Sequence, residues 1–192
     1  MAEFFHKFGY RITAFLCGVI LFVCGGFSIW INSDKGRFLS LYFLIDNSEN
    51  VEVGAILSSF QGGAGYLLEV NGCEYAVHTV YLSEEKGQRA VEENSGTTLF
   101  ELQVKKEWLS GAVYDVILIL EKVIDGLNSG WTQEKAKRVL LDVGVSLKGL
   151  SKTDEYFKAP YEKMLAVQSG ILLAKDLRYI VCLLADGIVL RS

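Results

Sequence analysis

Residues Gly62 to Glu93 read GGAGYLLEVNGCEYAVHTVYLSEEKGQRAVEE, and the fold turns on them. Asn71-Gly72 is a dipeptide suited to a two-residue hairpin, because both central residues of the favoured turn need positive φ. β-rich runs stand on either side, Tyr66 to Val70 and Cys73 to Tyr81, so a hairpin is predicted. Ser83, followed by Glu84 and Glu85, places a side-chain acceptor and negative charge at the positive end of a helix predicted to reach Glu93. Asn94-Ser95-Gly96 stops that helix, and TTLFELQV, Thr97 to Val104, alternates as a third strand. The result is a β-β-α-β unit. Its entry, Gln61 to Gly65, holds three glycines but no following GK[ST], so it is flexible chain and not a phosphate loop.

Beyond Trp108 the periodicity becomes helical. Val113, Val116 or Ile117, Leu120, Ile124 and Leu127 recur every three to four residues until Asn128-Ser129-Gly130. Thr132 can cap a second helix with Ala136, Val139, Leu140, Val143, Leu147 and Leu150 as its buried stripe. Pro160 suits the start of a further helix, long or broken, carrying Met164, Leu165, Ile171, Leu172, Ile180, Leu183 and Leu184. The stretch Gly170 to Leu190 is apolar, but Lys175, Asp176, Arg178 and Asp186 would each cost about 2.5 to 3.5 kcal/mol in a bilayer centre. It reads as a core helix of a small bundle.

Upstream, ITAFLCGVILFVCGGFSIWI from Ile12 to Ile31 is uncharged and long enough for a hydrocarbon core of roughly 30 Å. Tyr10 and Trp30 mark its ends, and Arg11 and Lys35 flank it. The competing reading is a cleaved signal peptide. The run exceeds the ~7 to 15 residues usual there and no small-x-small site follows, which favours an uncleaved signal anchor. Basic residues are nearly balanced across the span, Lys7 and Arg11 before it and Lys35 and Arg37 after. The short N-terminal stub gives little reason to translocate, so the body is expected outside the cytoplasm. Ala14, Gly18 and Gly25 share a helix face that suits a dimer seam, although small residues are common in spanning helices.

The 192-residue chain has net charge −4 and is 51% apolar with one proline, which excludes disorder. Glu3, Lys7 and Arg11 leave the first 31 residues with one net positive charge, so the rest holds −5. That sign argues against nucleic acid as a partner. Cys17 and Cys24 lie in the apolar run, and Cys73 and Cys182 read as separately packed thiols rather than a bridge. With only His6 and His78, and no CxxC, HExxH or GxSxG, neither a metal site, a cofactor nor an enzyme is expected.

The segment Gly62 to Glu93 resembles the opening of SPOR domains found in clostridial membrane proteins. In that family an aromatic-rich strand, here Tyr75 to Tyr81, leads through a Ser-Glu-Glu turn into a helix packed on the sheet. The resemblance covers about one sixth of the chain. It departs at Gly87, where the family prefers alanine, and no second αβ half follows Val104. What it implies is a divergent, peptidoglycan-binding unit of the kind that serves bacterial cell division and sporulation. By position in the matching strand, Tyr75, His78 and Tyr81 are the glycan-contact candidates; aromatic faces stack on sugar rings and histidine bonds hydroxyls. Strand alternation puts Tyr75 and Tyr81 on one face and His78 on the other.

The expected protein is therefore α+β: a stub (1–11), a transmembrane helix (12–31), a connector (32–60) of undecided structure, a SPOR-like unit (61–108) and a helical region (109–192). Its partners would be the membrane, peptidoglycan glycan, and an envelope protein or a second copy. A scaffold subunit that docks a partner through its helical half is the alternative.

Overall fold

The computed structural model describes residues 38–46, 63–70, 72–109 and 111–190. The expected span, with Ala14, Gly18 and Gly25, lies outside the described residues. Among the described residues no helix is long and apolar enough to cross a membrane, the stretch Gly170 to Leu190 included.

The elements run β1 (Phe38–Asp46), β2 (Tyr66–Val70), β3 (Cys73–Tyr81), α1 (Glu84–Glu93), β4 (Thr97–Lys105), α2 (Gly111–Asn128), α3 (Gln133–Thr153), a 3₁₀ turn (Glu155–Phe157), α4 (Lys158–Ser169) and α5 (Ala174–Val189). The described residues form an α+β fold, with a four-stranded antiparallel sheet in the order β2-β3-β1-β4. The β2–β3 hairpin forms as its sequence predicts: Val70 pairs with Cys73 across the two-residue loop, and Gly72 takes φ +77°.

Strand β1 falls inside the connector whose structure the sequence leaves undecided; it pairs with β3 and occupies an inner position of the sheet. Its sequence LYFLI is apolar on both faces, and Leu41, Phe43, Leu44 and Ile45 are all buried. A strand covered on both faces loses the alternation that marks a half-exposed one, so periodicity could not identify it. Among the described residues, those from Leu39 onward belong to one compact unit.

One sheet face joins the bundle. Leu41, Phe43, Ile45, Leu68, Val77, Val80 and Val104 belong to the same contiguous core as the helical stripes. Phe100 continues this face, 5.2 Å from Tyr75 in a stacked pair and 6.4 Å from Phe43. The other face carries α1, whose Gly87 lies against Leu99, the neighbour of Phe100 on the opposite side of β4. A Cβ on Gly87 would come within 2.7 Å of a Leu99 methyl, so glycine lets α1 approach the sheet closely here. Ser83 sits at the α1 N-cap in an extended conformation but makes no side-chain capping bond, contrary to expectation.

Thr132 does cap α3, accepting from the Lys135 amide at 3.3 Å, and Ala136, Leu140, Val143 and Leu147 are buried as predicted. The segment after Pro160 is broken at Gly170, and the break changes which residues are covered. Ile171 is 75% exposed and Leu165 47%, while Leu184 rather than Leu183 is fully buried. The sheet is tied to α5 by the Tyr66 hydroxyl, which donates to Asp186 at 2.5 Å, and by an edge-on contact of Tyr66 with Tyr179. Burial, and then the Asp186 carboxylate, raise the Tyr66 pKa, so the phenol stays protonated as a donor.

Candidate functional site

The three residues singled out on β3 do not meet as alternation predicts. Leu44 pairs with Thr79 and Ile45 with Val77, so one step on β1 spans two on β3 and His78 is the extra residue of a β-bulge. A bulge resets which side each residue faces. Tyr75 remains on the face shared with Val77, stacked on Phe100, whereas Tyr81 crosses to the face of Thr79. The bulge thus separates the two tyrosines and brings His78 and Tyr81 to a single cleft.

That cleft forms where β2 stops pairing with β3, beyond Val77. Gly63 closes it from below; a Cβ there would lie 2.6 Å from the His78 ring, so only glycine lets this chain pass. The Ala64 amide then bonds the His78 carbonyl at 2.7 Å, holding the bulge in place. Thr79, Asn94 from the end of α1 and Arg178 from α5 complete a wall of hydrogen-bonding groups around about 50 Å³. An adjoining space of about 40 Å³ shares Thr79, Tyr81 and Arg178 and adds Lys86, Glu121 and Asp125.

The electrostatics differ between the two lobes. Around His78, burial lowers the imidazole pKa and Arg178 adds to this; Asp46, 3.9 Å from Nε2, opposes them without prevailing. The ring is therefore neutral at pH 7, with one donor and one acceptor. Burial likewise raises the Tyr81 pKa. In the second lobe the buried Glu121 carboxylate accepts from Lys86 Nζ at 2.6 Å and from the Leu82 amide at 3.3 Å. Burial works against the Lys86 charge, but the Glu121 bond and charge outweigh it and raise the pKa. The first lobe is thus a neutral, hydroxyl-bonding surface flanked by a guanidinium; the second is a closed ion pair that fastens α1 and the end of β3 to α2.

The spaces are far smaller than the ~300 to 1,000 Å³ of pockets that enclose small molecules. They hold a few waters or one functional group of a ligand that lies mostly outside. Among the described residues no group of three or more His, Cys, Asp or Glu has a metal-holding arrangement. Cys73 is exposed and Cys182 buried, both free; burial raises the Cys182 pKa, so it is an inert thiol.

Sequence reasoning missed Arg178 and Asn94 as site residues. Arg178 had a signal, a charge inside an otherwise apolar helical run, but Asn94 looked only like a helix terminator. No family model, no curated protein and no solved structure matches this chain.

Proposed function

We propose that this protein is a non-catalytic binding module of the bacterial cell envelope, tethered to the membrane through residues 12–31, that recognises peptidoglycan glycan at the His78–Tyr81 cleft. The observation that carries the reading is the bulge at His78, which gathers His78, Thr79, Tyr81, Asn94 and Arg178 into one shallow, polar and partly open surface. A neutral imidazole, two hydroxyls, an amide and a guanidinium match the mixed donors and acceptors of sugar hydroxyl and acetamido groups. A polymer crossing the surface needs no enclosing pocket, which suits the small volume. Tyr75 drops out as a contact, because Phe100 already occupies its ring face.

The test is sedimentation of the detergent-solubilised full chain with purified peptidoglycan, intact and stripped of its peptides. Retention should persist at high salt, since an acidic protein gains nothing general from an anionic wall. His78→Ala and Arg178→Gln should reduce retention several-fold, and Tyr75→Leu should leave it unchanged. Wild-type protein that stays in the supernatant would end the glycan reading in favour of a scaffold that docks a protein partner. One observation favours that second reading: both sheet faces are covered, one by α1 and one by the bundle.

A further inference from the structure

The α3–α4 pair presents a second surface, unrelated to the cleft. With α3 turning its buried stripe inward, the 3.6-residue repeat carries Leu141 and Val145 to one flank, where they are 61% and 72% exposed. Arg138, Lys148 and Lys152 lie on the same flank and are exposed. Helix α4 runs antiparallel beside it. Gln133 exchanges two hydrogen bonds with the backbone of Leu172, while Gln168 Nε2 donates to the Leu140 carbonyl at 2.9 Å and packs on Gly144. One turn before Gln168, Leu165 therefore emerges on the same side of the seam as Leu141 and Val145, together with Lys158. Ile171 and Leu173 extend the apolar surface past the end of α4.

Glu134, Asp142 and Glu162 are the carboxylates of this flank, outnumbered by Lys137, Arg138, Lys148, Lys152 and Lys158. The face is therefore basic on a chain of net charge −4, and everything else is correspondingly more acidic. Exposed aliphatic side chains ringed by lysine and arginine are the chemistry of a helix surface that lies in a lipid interface. We propose that the α3–α4 face rests on an anionic lipid bilayer, with Leu141, Val145, Leu165 and Ile171 entering the headgroup boundary. The cations pair with lipid phosphates, and the lysine stems reach along the apolar strip to do so. The acidic remainder of the body is repelled by the same surface, which fixes the side that faces it. The inference stands on this face and not on the glycan reading.

The test uses the full chain with Cys17, Cys24 and Cys73 changed to Ser and an environment-sensitive dye on Val145→Cys. The protein is mixed with vesicles of phosphatidylcholine alone, or of phosphatidylcholine with phosphatidylglycerol. The dye should shift to the blue with the anionic vesicles only, lose most of the shift at high salt, and lose it in an Arg138→Glu/Lys148→Glu variant. A shift in both compositions, or in neither, overturns the proposal. So does a shift without vesicles that grows with protein concentration, which would assign the face to contact between copies. Co-flotation with the uncharged vesicles reports the tether separately, so failure of the tether and failure of this face give different results.

Discussion

The helical half and the sheet are held by different kinds of interaction. In the bundle, fully buried aliphatic side chains on α2, α3, α4 and α5 mesh along stripes, and apolar burial supplies the stability. The sheet shares that core through one face only. It is also positioned by a few specific polar ties: Tyr66 to Asp186, Glu121 to Lys86 and the Leu82 amide, and the Ala64 bond that fixes the bulge. Apolar packing tolerates exchange of one aliphatic residue for another, whereas a buried carboxylate or a bulge depends on particular partners. The bundle is thus the robust part of the molecule and the sheet its precisely adjusted part, and the candidate cleft lies where the two meet.

The largest expected effects test whether the two regions form one cooperative unit. Leu140→Asp in the bundle should abolish folding or cost about 4 kcal/mol or more, by burying an unpaired charge. Phe43→Ala on β1 should cost about 3 to 5 kcal/mol and lower the same single transition in a thermal melt. Two separate transitions in the Phe43 variant would show the sheet unfolding independently, and little change would mean β1 is the dispensable connector that the sequence left undecided.

A smaller effect sharpens the contrast in polar ties. Lys86→Met removes the partner of a buried carboxylate, but Lys86 is itself 45% exposed, so solvent screening limits the loss to about 1 to 2 kcal/mol. Chemical denaturation of this variant beside Lys86→Met/Glu121→Leu decides the matter. The double variant should recover much of the loss, because no buried charge is left behind.

The smallest effect is pH-dependent. Because the folded His78 pKa lies below its ordinary value of 6.5, the unfolded chain takes up the proton first as pH falls. The stability that His78 contributes is complete above pH 6.5 and is lost progressively below it, until the folded group protonates as well. Melting temperature should decline faster below pH 6.5 in wild type than in His78→Gln. Parallel curves would mean that the imidazole is not held neutral by its surroundings.

Residues with a clean period were legible without coordinates. Both strands of the hairpin, the extent of α1 and the buried stripe of α3 follow from Asn71-Gly72, Glu84-Glu85 and the spacing of Ala136, Leu140, Val143 and Leu147. These signals are local, since each records which side of its own element meets the core or which turn its backbone accepts. Three features were decided by the tertiary structure alone. LYFLI became β1 because β3 and β4 offered it edges and helical layers covered both its faces, an environment contributed by residues far away in sequence. The extra residue on β3 arose from its register with β1 and moved Tyr81 away from Tyr75, which no count along one strand foresees. Arg178 and Asn94 reached His78 through packing of α5 and α1 around the sheet. The sequence by itself determined the hairpin, β4 and the helical stripes, because propensity and amphipathic period act within a dozen residues. Only the tertiary structure decided the site, because a bulge and a cleft are relations between segments that a chain read in order does not place side by side.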